Sequence, residues 1–278
     1  MRKKSPDKKG AACEVVVVIS DTHCGSNQGL AHPESELSSG NTVGFGKNHH
    51  QRWLWENWME AKNQVKALLR GRSGILVING DATEGAHHHT QELIASSIAE
   101  HTDIAVKCFE EFRDGLKLQD ILVVRGTECH TREMEDVLAE RLGARNNKAR
   151  DKWLFRVNGC LVDCAHHIGT SARKYLEASA LSIYMGNNRL NALDAGHMAP
   201  QVMCRAHRHC GGMYTNGAAT MVVTGGWQFL TRHGHKVVTD SIPSPTVAVL
   251  DWAGKPKGAL PTVHEIKFFP PQDTITNF

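Results

Sequence analysis

At 278 residues the chain is long enough to bury a core without disulfide staples, and 41% hydrophobic with 22% charged residues is an ordinary globular balance. A net charge of +3 is too mild to mark a nucleic-acid binder by itself, and no apolar run reaches membrane-spanning length, so no membrane partner is expected. None of the eight cysteines forms a CxxC pair, which excludes a zinc ribbon and predicts reduced thiols in a cytoplasmic protein without a secretory leader. The 17 histidines are the compositional anomaly, clustered at 49–50, 87–89, 166–167, 207–209 and 233–235.

Residues 1–12 carry Arg2, Lys3, Lys4, Lys8 and Lys9 and read as a disordered basic tail, with one domain over 13–278. The β-branched run 14–20 (EVVVVIS) predicts a central strand buried on both faces and ends at Asp21. Residues 25–50, rich in Gly, Ser and Asn, predict a long irregular insertion beside an active site. Leu54, Trp58, Ala61, Val65, Leu68 and Leu69 share one face of a helix over 51–70. Trp53 and Trp55 cannot both share the face of Leu54, so one is expected at a partner surface or stacked on a base.

A second buried strand, 74–78, ends at Asn79-Gly80-Asp81; a helix is expected over 90–113. A third strand, 121–124, runs into Arg125-Gly126-Thr127, followed by a helix over 131–142 that Gly143 stops. This βαβαβα half predicts a parallel sheet with right-handed crossovers. In the second half, strands 152–157 and 160–165 flank the hairpin signal Asn158-Gly159. A helix over 171–195 broken near Gly186 follows, then short strands at 202–205, 219–224, 246–250 and 263–268. The change to mainly antiparallel strands predicts a second sheet packed on the first.

Polar groups recur where strands stop. Asp21 and His23, Asp81, then His166 or His167, then His207 and His209 each follow a strand, and buried carboxylates and imidazoles need partners. In an extended chain, residues two apart point the same way, so Asp21/His23 and His207/His209 could each grip one ion. In a parallel sheet, ligands gather beyond the strands' carboxyl ends. Mixed Asp and His donors suit Mn, Fe or Zn better than Ca or Mg.

The motifs Asp21-Thr22-His23, Gly80-Asp81-Ala82-Thr83-Glu84 and Ala206-His207-Arg208-His209 resemble the DxH, GDxx[DE] and GHxH signatures of the calcineurin-like metallophosphoesterases, including stand-alone enzymes of the kind phages and bacteria encode. The resemblance spans residues 15–210. It implies an α/β fold, a four-layer α/β/β/α sandwich of two mixed sheets flanked by helices. It implies two divalent ions, Mn first and Fe or Zn as alternatives. Asp21, His23, Asp81 and His209 would hold the first; Asp81 would bridge to the second, which His166 and His207 would also hold, with His167 the alternative to His166. The family's GNH[DE] becomes Gly126-Thr127-Glu128-Cys129-His130, without the Asn and with the His two places late. Thr127, Glu128 or water fills the gap, or the second site is impaired; the reading taken is a working variant with His130 as the acid.

The implied mechanism is attack on phosphorus by a metal-bridging hydroxide between ions about 3.5–4 Å apart, with His130 protonating the leaving oxygen. His87 and His88 are candidates for the substrate rim, and Arg125 for a phosphate contact. The implied substrate is a phosphate ester: DNA or RNA, toward which the basic tail, the 25–50 insertion and the mild positive charge lean, or a small diester or monoester or a phosphoprotein. The rival reading is an impaired member of the same fold that binds a protein partner.

Overall fold

The computed structural model describes residues 13–86, 91–130, 132–168, 177–237 and 242–271. The basic tail, His87, His88, residue 131 at the expected start of the third helix and the start of the helix expected from 171 lie outside these residues.

Among the described residues, ten strands form two five-stranded sheets. In the first sheet β1 (Val15–Ile19) lies at the centre, parallel to β2 (Gly74–Asn79), which is parallel to β3 (Leu118–Val124). The intervening helices α1 (His49–Leu69) and α2 (Ile98–Arg113) make the crossovers that parallel strands require, and α3 (Arg132–Arg141) follows β3. The second sheet is ordered β4 (Lys152–Val157), β5 (Cys160–Ala165), β6 (Val202–Arg205), β8 (Thr220–Val223), β7 (Gly212–Thr215). Asn158 and Gly159, both at positive φ, turn the β4–β5 hairpin.

The second half is mainly antiparallel, as expected, with one departure. β5, β6 and β8 run parallel, while β9 (Thr246–Asp251) and β10 (Thr262–Lys267) return to the edge of the first sheet. Four-residue strands carry no sign of direction; the long connection through α4 (Glu177–Asp194) decides it.

Alternation along β1 explains the layering. Val15, Val17 and Ile19 pack with Leu54, Trp58, Phe109 and Phe112 of the helices. Val16 and Val18 face Trp153, Val162, Val202 and Val222 of the second sheet. On that sheet's far side, Met203, Met221 and Val223 meet Leu181 and Met185 of α4. The result is a four-layer α/β/β/α sandwich of two mixed sheets, in which each buried aliphatic side chain contributes roughly 1.5–3 kcal/mol.

Three further boundaries differ from expectation. α2 begins at Ile98, because Leu93 bridges to Ser26 and the Ile94 amide donates to the Gly25 carbonyl at 2.8 Å. α4 passes Gly186 without a break. β7, a short edge strand, had no sequence forecast. The 25–50 segment is pinned: Leu30 and Ala31 enter the first core, and Asn48 caps α1 through the Gln51 amide.

Candidate metal centre

The parallel strands of both sheets deliver their exits to one place. Asp21 N–H donates to the Gly80 carbonyl at 2.9 Å and His23 N–H to the Asp81 carbonyl at 3.1 Å, knitting the β1 and β2 exits together. Ala206 N–H donates to the His166 carbonyl at 2.8 Å, joining the exits of β5 and β6. His207 N–H then reaches Asp21 Oδ2 across the sheets at 3.3 Å.

The backbone here is not extended, which corrects the reason given for the paired motifs. Asp21, His23, Asp81, His207 and His209 all have positive φ, and they are five of the nine non-glycine residues that do among the described residues. Each such conformation costs on the order of 1–3 kcal/mol and persists only where the surroundings demand it. The left-handed turns, not strand periodicity, aim these side chains inward.

The donors interlock. His23 Nε2 lies 3.0 Å from His209 Nε2, and His209 Nε2 lies 3.6 Å from Asp21 Oδ1. His166 Nε2 sits 2.9 Å from Asp81 Oδ2, without the alignment of a hydrogen bond, and 3.8 Å from Asp21 Oδ1. Donor atoms within 4.8 Å of one another form the groups Asp21–His23–His209, Asp21–Asp81–His166 and His166–His167–His207. Buried imidazoles are held from behind: His23 Nδ1 donates to Glu84 Oε2 at 2.8 Å, where Gln228 also donates, and His166 Nδ1 donates to the Asn79 carbonyl at 2.7 Å. Both Nε2 atoms are thereby turned to the centre, the usual support of a metal-binding histidine. Of the pair left open by sequence, His166 is the buried one; His167 is exposed, its ring 5.0 Å from that of His166.

The variant third motif also converges. Thr127 N–H donates to Asp81 Oδ1 at 2.7 Å and its hydroxyl to Oδ2 at 3.0 Å, with His207 Nδ1 at 3.3 Å. Residues Glu128–His130 coil into one 3-10 turn, and this absorbs the two extra positions. His130 Nδ1 donates to the Glu84 carbonyl at 2.7 Å, and Nε2 stands 4.0 Å from Asp81 Oδ2. Gly126 is required: a Cβ there would fall on Asp81 Oδ1.

Charge explains what the donors lack. Asp21 and Asp81 are buried, and no lysine or arginine is paired with either among the described residues. Asp21 Oδ1 and His166 Nε2 have no hydrogen-bond partner. Burial raises the Asp21 carboxyl and Asp81 reinforces this; Asp81, against the pull of burial, is held well below the usual range by His166, His130 and His23. Against burial, Glu84 and the two aspartates lift His23 to about 9, and Asp81 with Asp21 lifts His166 to about 10. Burial and neighbouring imidazoles push His207 and His130 down to about 4 and lower His209 too. Two buried carboxylates, orphaned donor atoms and inward-facing imidazole nitrogens fit divalent cations of the Mn, Fe or Zn type.

A cavity of about 490 Å³ adjoins the centre, bordered by Arg125, Thr127, Glu128, Asp151, His166 and His167. Arg125 is engaged by Asp136 at 2.8 Å and Asp151 at 3.7 Å, so its guanidinium is committed within the fold. Trp53 and Trp55 are half-buried against Phe229 and His32, which corrects the expectation of an exposed stacking surface. Sequence reading gave no role to Glu84, although it stands in the second motif, nor to Gln228 or Glu135, whose positions carry no signal. Glu135 accepts from Gly126 N–H at 2.6 Å, and burial near Asp81 raises its carboxyl to about 8.

No family model and no curated protein matches the chain. Among solved structures, a novel archaeal phosphodiesterase is similar at 11% identity over 91% of this chain and 99% of its own, TM-score 0.44. A predicted phosphoesterase of Streptococcus pneumoniae TIGR4 matches at 10% identity over 93% and 100%, TM-score 0.33. Vps29 of Entamoeba histolytica complexed with Zn²⁺ matches at 11% over 91% and 98%, TM-score 0.36. What the centre can do follows from its own donors.

Proposed function

We propose that this chain is a calcineurin-like metallophosphoesterase that hydrolyses phosphate esters with two divalent ions. One observation carries the reading: six donors from four strand exits converge on adjoining groups that include two buried carboxylates, with no lysine or arginine paired to either among the described residues. Asp21, His23, Asp81 and His209 would hold the first ion, and Asp81, His166 and His207 the second. When bound, such ions polarise a phosphoryl oxygen and lower the pKa of water to near neutrality.

The chain's own residues do the rest. Thr127 fixes both oxygens of Asp81 through its amide and hydroxyl. His130 donates its Nδ1 hydrogen to the Glu84 carbonyl, so Nε2 would take the proton released as water is activated and pass that proton to the leaving oxygen. The adjoining cavity takes the ester's substituent. Its one arginine is already paired with Asp136, so a small diester or monoester suits it better than a nucleic-acid strand.

The test is turnover of a chromogenic phosphodiester, a monoester and linear DNA with Mn²⁺, Zn²⁺ or Fe²⁺. Small-ester hydrolysis that chelator abolishes and Asp81→Asn eliminates supports the reading. Preferred cleavage of DNA redirects the substrate class, and absence of turnover with every ion sinks the enzymatic reading.

A further inference from the structure

We propose that His167 is a protein ligand of the second ion, beside His166, His207 and Asp81, so that this site presents three imidazoles. The inference rests on the two-ion reading above and adds a donor to it. The β3 exit presents Thr127 here, and its amide and hydroxyl both donate to Asp81, at 2.7 and 3.0 Å. The facing wall is the β5 exit, where two histidines follow one another. Successive side chains diverge along a strand, but β5 ends at Ala165, and the turn brings both rings to the same side.

The three rings form a near-equilateral triangle, with centroids 5.0 Å apart for His166 and His167, 4.8 Å for His167 and His207, and 5.3 Å for His166 and His207. One nitrogen from each lies within 4.8 Å of the others. An ion with nitrogens at about 2.0–2.1 Å needs them at most about 4.2 Å apart. His167 and His207 are exposed, and rotation of their rings closes the difference. Three nitrogens and one carboxylate oxygen make a donor set for Zn²⁺ or Fe²⁺ rather than Mg²⁺.

The experiment measures ions, not turnover. The full chain is dialysed against Zn²⁺, its metal content read by atomic emission, and each affinity measured by competition with a chromogenic chelator. Co²⁺ substitution adds a visible spectrum that reports nitrogen coordination. The wild type is expected to hold two ions. His167→Ala is expected to keep the first and bind the second at least about tenfold more weakly, with a changed Co²⁺ spectrum. His207→Ala, whose residue belongs to the two-ion reading itself, should lose the same ion. If His167→Ala holds both ions with wild-type affinity and spectrum while His207→Ala does not, the proposal fails and the two-ion reading stands. A wild type that takes up one ion overturns both.

Discussion

His130 shows how a residue can keep a place in space while losing its place in a motif. The 3-10 turn at Glu128–His130 shortens the path per residue, so a histidine two positions late still faces Asp81. It is not among the proposed ion ligands. His130→Ala is therefore expected to lower kcat by about 10²–10⁴-fold with metal content unchanged. Steady-state kinetics beside metal analysis checks it, and loss of an ion in the variant would reassign the residue. Gly126→Ala is a contrasting case, since its methyl would displace Asp81 itself; it should lower metal uptake as well as turnover. That Asp21, His23, Asp81, His166, His207 and His209 would gather at one place was legible, because buried carboxylates and imidazoles at successive strand ends need partners. Their left-handed backbone was not, because nothing in a DxH or HxH spelling distinguishes a turn from an extended pair. Glu84's hold on His23, and Glu135's on Gly126, emerge only once distant segments meet.

The elements that carry the site were legible where burial leaves a long signature. The continuous runs of β1, β2 and β3 could hardly be anything but central strands. Leu93 and Ile94 misled because their spacing suits a helix, yet they anchor the insertion. The direction of β6 and β8 was illegible, and what holds β6 is equally hidden. Arg205, almost fully buried, donates to the Asp163 carbonyl at 2.9 Å, to its carboxylate at 3.2 Å and to Tyr184 of α4 at 3.0 Å. This ion pair clamps the strand whose next residues are Ala206 and His207. Removing one partner of a buried pair leaves the other charge stranded. Asp163→Ala is thus expected to cost about 3–5 kcal/mol in urea unfolding. A change below 1 kcal/mol would show that Tyr184 and the carbonyls suffice for Arg205.

Across the whole molecule, the ion-free centre and the loaded one should answer pH in opposite senses. Without ions, Asp21 and Asp81 are balanced by protons on His23 and His166, raised to about 9 and about 10. An unfolded histidine titrates near 6.5. Between these values the folded chain binds more protons than the unfolded one, so this stabilisation is complete below about pH 6.5 and fades as pH rises through 9 and 10. An ion needs neutral imidazoles, so binding must displace those same protons, and affinity rises about tenfold per pH unit for each proton released. His207 and His130, near 4, are already neutral in this range and contribute nothing to the trend. The melting temperature of the chelated protein should fall from pH 6.5 to 9 while the gap opened by saturating Zn²⁺ widens, reaching about 2.7 kcal/mol for each site whose dissociation constant the free ion exceeds a hundredfold. Calorimetry in buffers of different ionisation enthalpy should count about two protons released on filling both sites at pH 7.5. A gap that narrows with rising pH, or no proton release, would mean that His23 and His166 do not guard the carboxylates in place of the ions, and the assignment of those two imidazoles as ligands would fall with it.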